Sequence, residues 1–103
     1  MNELKIAGFE TAVLVLLTLS RGAESRKKIL LTLLSGPKNC RQISQKIGLD
    51  WWTVQKHLRL LLKENIVNSS DFGNSKFYKL TPKGEAAIKA ILSEEDSKKQ
   101  ALR

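Results

Sequence analysis

The chain has 103 residues, which is the size of one small domain, with room for a modest core but not also for a deep active-site cleft. Its 18 basic residues outnumber 10 acidic ones, and thirteen of the 18 lie between Arg21 and Lys83, where four acidic residues oppose them. A basic middle between near-neutral ends is typical of a protein that binds a polyanion. One histidine, no glycine-rich phosphate loop and no nucleophile beside a base argue against an enzyme.

The sequence lacks the features expected of a secreted, membrane-spanning or metal-binding protein. The apolar stretch from Leu4 to Leu19 contains Glu10 and falls short of the roughly 20 residues that a spanning helix needs. No small-residue cleavage pattern follows it, so we expect no signal peptide. Cys40 is the single cysteine, and one cysteine with one histidine cannot close a zinc site within a subunit. We therefore expect a cytoplasmic protein with no metal and no cofactor.

The first predicted helix covers Asn2 to Leu19 and is apolar nearly all round. Such a helix is usually buried on more than one side, and in so small a protein the second side is a partner subunit. The polar residues from Ser20 to Glu24 end it. A second helix is predicted from Ser25 to Leu34, where Gly36-Pro37 stops it.

A helix-turn-helix is predicted next, with a signal at each boundary. Asn39, with Gln42 three positions on, has the pattern of a capping box. Cys40 lies on the inner face of the short helix that follows, as a small core residue. Gly48 ends this helix, and Asp50 caps the next one.

The helix predicted from Trp51 to about Asn65 has two faces when it is phased at about 100° per residue. One stripe is apolar: Val54, Leu58, Leu61 and Leu62. The opposite stripe is polar: Trp52, Gln55, Lys56, Arg59 and Lys63. The polar stripe is either a solvated face or a surface that reads DNA, on which glutamine can pair with adenine and arginine with guanine.

Four side chains at the start and on the flanks of this helix have separate interpretations. Thr53 lies in the first turn, where backbone N–H groups also favour a phosphate. Trp52 either contacts thymine methyls and sugars or covers an apolar edge. We expect Trp51 to lie in the core and His57 to be buried and hydrogen-bonded rather than a ligand or a sensor.

A β-hairpin is predicted from two strands, Ile66–Ser70 and Lys76–Leu80, around turn residues 71–75. Tyr78 and Leu80 point to the core if Phe77 points out, although five residues leave the opposite register open. The polar residues of the hairpin are either DNA contacts or solubilising groups. The last helix is predicted to start at Pro82, with Thr81 as its N-cap, and its tail after Ser93 is expected to fray.

The order of these elements predicts a mainly α protein with a small β-hairpin: a winged helix-turn-helix with additional helices at both ends. We expect one domain, made of a dimerisation helix (residues 1–20), the winged core (residues 24–80) and a C-terminal helix with its tail (residues 81–103).

The segment from Ile43 to Val67 resembles the ArsR-like winged-helix transcription regulators of bacteria and archaea. The matching positions are Ile43, Ser44, Ile47, Gly48, Leu49, Thr53, Val54, His57, Leu58, Leu61, Ile66 and Val67, with Lys76 to Gly84 similar to the second wing strand and the helix after it. The resemblance implies a homodimer joined by its terminal helices. The interface residues it suggests are Leu4, Phe9, Val13, Leu16, Leu17, Ile88, Ile91 and Leu92.

Two departures from the family pattern narrow this implication. The cysteine motif of the metal-sensing members is missing, which argues against metal sensing. Leu60 and Leu62 stand at positions that are usually polar, so we expect another element to cover them.

The favoured function is a homodimeric regulator that binds double-stranded DNA. The alternatives are an architectural protein that coats DNA with little sequence preference and a winged helix that binds other proteins. The DNA-binding residues predicted are Arg41, Trp52, Thr53, Gln55, Lys56, Arg59, Asn74, Ser75, Lys76 and Lys79.

Overall fold

The computed structural model describes residues 11–101, with side chains between residues 11 and 97. This part of the chain forms a mainly α fold with a small antiparallel sheet, the predicted winged helix-turn-helix with a helix added at each end. In chain order its elements are α1 (Thr11–Leu14), continued by a π-helical turn (Val15–Leu19), α2 (Ala23–Leu33), β1 (Lys38–Asn39), α3 (Cys40–Ile47), α4 (Trp51–Lys63), β2 (Val67–Phe72), β3 (Ser75–Leu80) and α5 (Pro82–Ala101).

The first helix ends at Leu19, as predicted, and its last turn is wider than that of an α-helix. Over Val15–Leu19 the helix is π-helical, and the Ser20 N–H donates to the Val15 carbonyl at 2.9 Å, five residues back. Gly22, with φ of +87°, then turns the chain into α2, which begins two residues before the predicted start. The predicted residues Leu4 and Phe9 lie outside the described residues.

The local signals around the helix-turn-helix are confirmed. The Gln42 N–H donates to Asn39 Oδ1 at 2.8 Å, and the Asn39 N–H donates to Gln42 Oε1 at 2.9 Å, which completes the capping box at α3. Asp50 caps α4 by accepting the Thr53 N–H at 2.8 Å. Each such cap is worth about 1 kcal/mol, so both helices have start points fixed by the sequence.

The sheet contains one strand more than predicted, and its hairpin has a shorter loop. The two-residue β1 pairs with β3, which lies between β1 and β2. The predicted loop over residues 71–75 was wrong, because Phe72 pairs with Ser75 and only two residues remain between the strands. The predicted facing of the wing is confirmed: Tyr78 is buried and Phe77 is half-buried.

Helix α5 starts where the sequence predicted and continues beyond the predicted end. The Gly84 N–H donates to the Thr81 hydroxyl oxygen at 2.9 Å, as expected of an N-cap. The expectation of fraying after Ser93 was wrong, since α5 runs to Ala101. The Lys27 ammonium lies 2.5 Å from a carboxylate oxygen of Glu95 and holds this part of α5 against α2.

The core lies beneath α4, whose inward stripe meets α2, α3 and the sheet. The buried core residues include Val13, Leu17, Ile29, Leu30, Ile43, Val54, Leu58, Leu61, Ile66, Tyr78, Ala87, Ile88 and Ile91. Trp51 does not belong to it, contrary to the prediction: its side chain is 43% exposed. Of the two leucines expected to be covered, Leu62 is half-buried against the core and Leu60 is exposed.

Candidate nucleic-acid interface

Helix α4 carries an exposed polar face directly opposite its buried stripe. Trp52 is 72% exposed, and Lys56, Arg59 and Lys63 are also exposed. Thr53 and Gln55 stand at the edges of this face and are half-buried. Because the core fixes the other side of the helix, these side chains are presented on a rigid support. The predicted division of α4 into an apolar buried stripe and an opposite polar stripe is confirmed.

The first turn of α4 uses its own polar groups internally. The Thr53 N–H donates to Asp50, and the Thr53 hydroxyl also donates to this carboxylate, to Oδ2 at 2.9 Å. The hydrogen bonds from the Thr53 N–H and hydroxyl hold the pKa of Asp50 below its usual value, so the carboxylate stays ionised. Thr53 is therefore better suited to fix the start of α4 than to donate a hydrogen bond to a phosphate.

Half of the predicted DNA-binding residues meet in one groove, here called the wing-side groove, between the start of α3, the start of α4 and the tip of the hairpin. It is about 380 Å³ in volume, and the predicted residues that line it are Arg41, Gln55, Asn74, Ser75 and Lys76. Trp51 lines it too, a residue that the sequence analysis assigned to the core. The pair Trp51-Trp52 at the start of a capped helix is the signal that could have marked it. The two rings pack edge to face with centroids 4.9 Å apart.

Two of the predicted DNA-binding residues in the wing-side groove, Gln55 and Lys76, make long polar contacts. Gln55 Nε2 lies 3.5 Å from the Tyr78 hydroxyl, at the limit of a hydrogen bond. Across the hairpin, the Lys76 ammonium lies 3.7 Å from a carboxylate oxygen of Asp71, and both side chains are exposed. Such pairs contribute little to stability, so these groups can change partners when a ligand arrives.

Thr53, Lys56 and Arg59 line a second depression on the opposite flank of α4, here called the α2-side pocket. It is about 520 Å³ in volume, and Arg21, Arg26 and His57 also line it. None of these three residues is among the predicted DNA-binding residues. Arg21 and Arg26 come from a turn and a helix about 30 residues earlier in the chain, so no local pattern joins them to α4.

Arg26 is the buried residue of this pocket, with 3% of its surface exposed. Its Nε donates to the Leu16 carbonyl at 2.8 Å, and its Nη2 donates to the Ser20 hydroxyl at 2.6 Å and to the Arg21 carbonyl at 2.9 Å. Burial lowers the pKa of the Arg26 guanidinium. These acceptors are neutral, so they hold the guanidinium in place without cancelling its charge.

His57 is the partner of Arg26 across the pocket. Its Nδ1 lies 3.1 Å from Arg26 Nη1, and because arginine only donates, Nδ1 accepts and the ring proton sits on Nε2. Burial lowers the pKa of His57, and the charges of Arg26 and Lys56 lower it further. The predicted hydrogen bond is confirmed, although the ring is half-buried rather than buried.

Two predicted DNA-binding residues stand apart from both depressions. Trp52 projects from α4 between them. Lys79 is exposed on β3, where Pro37, Phe72 and Phe77 form an apolar depression beside it. The structure therefore divides the predicted set among two flanks of α4, the exposed face between them and the outer side of the wing.

The predicted interface residues have little surface of their own in a single chain. Val13, Leu17, Ile88 and Ile91 are buried in the core, and Leu16 and Leu92 are half-buried against it. A buried side chain has no surface to offer a second copy. Around these helices the exposed apolar residues are instead Leu19, which is 60% exposed, together with Leu31 and Leu34.

The described residues contain neither a cluster of metal ligands nor a membrane-spanning helix. Within residues 11–97 no three histidine, cysteine or acidic side chains come together in a group that could hold a metal ion. No described helix is both long enough and apolar enough to cross a membrane.

Known proteins similar to this chain share its helix-turn-helix. Residues 23–69, from α2 to the start of β2, match the family described as bacterial regulatory protein, arsR family. No curated protein matches the sequence. The matched segment includes both helices of the helix-turn-helix, α3 and α4, the part of the chain in which the sequence resembles ArsR-like regulators.

Solved structures of regulators from several organisms have the same fold. A transcriptional regulator homologue from Pyrococcus horikoshii aligns with a TM-score of 0.73 and 21% identity over 79% of this chain and 85% of its own. The C30AH42A mutant of Lactococcus lactis ZitR in apo form aligns with a TM-score of 0.67 and 20% identity over 77% of this chain and 62% of its own. This chain thus spans about three fifths of ZitR.

A third similar structure was determined as a dimer. It is the homodimeric winged helix-turn-helix DNA-binding domain of a possible ArsR-family regulator from Mycobacterium bovis. It aligns with a TM-score of 0.64 and 19% identity over 69% of this chain and 67% of its own.

Proposed function

We propose that this chain, which carries the arsR-family helix-turn-helix over residues 23–69, is a homodimeric transcription regulator that places α4 in the major groove of DNA. The observation that carries the proposal is the exposed face of α4, where Trp52, Lys56 and Arg59 project from a helix anchored in the core by its other side. A helix held in this way can enter the groove without rearrangement. Such a regulator would work in the cytoplasm, with the DNA.

The side chains of this face have complementary chemistry for bases and phosphates. Arg59 offers a bidentate donor for guanine, and Gln55 can pair with adenine once it leaves Tyr78. Lys56 supplies a charge for the backbone. Trp52 would lie against sugars or thymine methyls. Thr53 would position the start of α4 at the backbone.

The residues of the wing would follow the flanking backbone or the minor groove. The groups proposed to do so are Asn74, Ser75, Lys76 and Lys79 on the hairpin and Arg41 at the start of α3. All five are exposed, and four of them already share the wing-side groove with Gln55.

The proposed dimer rests on the terminal helices and on the exposed leucines near them. A partner that packs on α1 and α5 would cover Leu19 and the free edges of Leu16 and Leu92. The M. bovis domain, which shares the fold, is homodimeric, and this supports a homodimer here. Two recognition helices related by a two-fold axis read half-sites about 34–36 Å apart.

The DNA part of the proposal is tested by titrating labelled duplex at several salt concentrations. We expect the double variant Lys56→Ala, Arg59→Ala to bind at least about tenfold more weakly, with a salt slope smaller by about one for each phosphate that the variant no longer neutralises. The matched control is Lys28→Ala, Lys89→Ala, which removes two exposed charges from α2 and α5 and should change the affinity little. Equally weakened binding in the two variants would show that only net charge matters.

The dimer is tested separately, by sedimentation without DNA. We expect the full chain to sediment as a dimer and the Leu19→Asp, Leu92→Asp variant to shift towards a monomer, because a charge in an apolar interface is costly. The control is Phe72→Asp, which places a charge on the exposed wing. A wild-type monomer, or a dimer that persists in the double variant, would contradict the proposed interface.

A further inference from the structure

The α2-side pocket has a floor and a rim of the same charge. Arg26 lies at its floor, and Arg21, Lys56 and Arg59 lie around its exposed rim. Among the described residues, no acidic side chain lines it. A concave site with cations on several sides concentrates positive potential, because the protein walls screen charge less than water does.

The charge at the floor is uncompensated within the part of the chain that the structure describes. All four acceptors of Arg26 are neutral: two carbonyls, the Ser20 hydroxyl and the His57 ring nitrogen. Among residues 11–97 no carboxylate forms an ion pair with it. A buried charge is costly unless it is paired, so an anion that reaches this guanidinium would be bound favourably.

The guanidinium keeps donor capacity on the side that faces Gly22. Four hydrogen bonds use four of its five N–H groups, and the remaining one is on Nη1. A Cβ on Gly22 would lie 2.9 Å from this Nη1 and 2.8 Å from His57 Cε1. Gly22 itself lines the pocket, and because it has no side chain its backbone can lie this close to the Arg26–His57 pair without a collision.

We propose that the α2-side pocket binds a phosphate-type oxyanion, with Arg26 beneath it and Arg21, Lys56 and Arg59 around it. The anion supplies the negative charge that the described side chains of the pocket do not. Its binding places an anion beside two residues of the exposed face of α4. Occupancy of the pocket and DNA binding are therefore linked.

The oxyanion has two sources with the same chemistry. One is a phosphate of the DNA backbone, which would make Arg21 and Arg26 part of the DNA contact; this source rests on the proposed function. The other is a free phosphate-bearing or sulfate-bearing small molecule, which would require no DNA.

The test is a titration of inorganic phosphate into the full chain without DNA, followed by amide NMR signals of residues 20–26 and 53–60. Ionic strength is held constant with chloride. We expect saturable shifts that chloride alone does not produce. Arg21→Ala, which removes an exposed rim charge, should weaken phosphate binding about fivefold, and Lys46→Ala, an exposed charge of α3, should leave it unchanged. Arg26→Gln should abolish it in protein shown by thermal unfolding to be folded.

The proposal is overturned if phosphate binds non-specifically and not in the α2-side pocket. Shifts that grow linearly and match those in chloride, or equally weakened binding in Arg21→Ala and Lys46→Ala, would show general attraction to a basic protein. Because this titration contains no DNA, its result is interpretable even if α4 does not bind DNA.

A second arm identifies the source. Phosphate is added to protein already saturated with a short duplex. If the pocket holds a backbone phosphate, the duplex blocks phosphate binding and Arg21→Ala also weakens the duplex. If the pocket serves a free anion, phosphate still binds the complex. Either result supports the site, whereas phosphate binding that is unaffected by both arginine substitutions rejects it.

Discussion

The two flanks of α4 are built in opposite ways. On the wing side, the predicted DNA-binding residues Gln55 and Lys76 make long polar contacts, of 3.5 Å to Tyr78 and 3.7 Å to Asp71. On the α2 side, one buried guanidinium makes four hydrogen bonds of 2.6 to 3.1 Å. The side chains on the wing side can therefore change position when a partner binds. On the α2 side, the hydrogen bonds of Arg26 hold the side chains in place as part of the fold. The same helix therefore joins an adjustable surface to a fixed one.

Replacing the central arginine of each flank should give the largest difference. We expect Arg26→Ala to reduce the free energy of unfolding by roughly 3 kcal/mol, because several buried acceptors lose their donor. Arg41→Ala, on the wing side, should change it by less than about 0.5 kcal/mol, since Arg41 is exposed. Urea denaturation measures both. Equal effects would remove the distinction between the flanks.

A pair of glycines, one near each flank, should give an intermediate difference. Gly22 and Gly73 both have positive φ, at +87° and +60°, but a Cβ meets nothing within 4 Å at Gly73. Gly73→Ala should therefore cost about 1 kcal/mol of backbone strain. Gly22→Ala adds a collision with Arg26 and His57 and should cost roughly 2 to 3 kcal/mol. Thermal unfolding of the two variants side by side measures the difference, and a Gly22→Ala protein no less stable than Gly73→Ala would mean that the Arg26–His57 pair is loosely held.

Acidification should have the smallest effect on the free energy of unfolding, and this effect should come from His57 on the α2 side. The pKa of His57 is lowered in the folded protein by burial, by Arg26 and by Lys56, so the unfolded chain takes up the proton first. Stability is therefore fully present above the ordinary histidine pKa of about 6.5 and falls as the pH drops below it. Protonation also turns Nδ1 into a donor that Arg26 cannot use.

The control for this pH effect is His57→Gln, whose amide oxygen can accept from Arg26 without titrating. Urea midpoints between pH 7.5 and pH 5 should fall less in this variant than in the wild type. Parallel curves for the two proteins would show that His57 does not contribute.

The elements that the sequence predicted correctly depend on local signals. The capping residues Asn39 and Asp50 act within three positions, and the two faces of α4 follow from the helical period, so both could be found without the fold. The hairpin loop was placed wrongly because the polar residues 68–71 show no alternation that would mark the end of β2. Helix α5 was predicted too short because its stabilising contact, Lys27 with Glu95, joins distant residues.

The site was predictable only where it coincides with one helix. Lys56 and Arg59 followed from the phase of α4. The α2-side pocket did not, because Arg26 reaches it from another helix and looks in the sequence like part of an exposed basic cluster. Trp51 was misassigned because the phase of a helix does not show where the core stops, and the core stops short of the first turn of α4.

Selection of bound duplexes from a random pool tests the central claim most directly. The full chain should enrich a pseudo-palindromic site whose half-site centres lie about one helical turn, or roughly 10 base pairs, apart. The double variant Lys56→Ala, Arg59→Ala should lose that preference. Enrichment of no sequence, or of the same site by both proteins, would contradict the claim that the exposed face of α4 reads DNA.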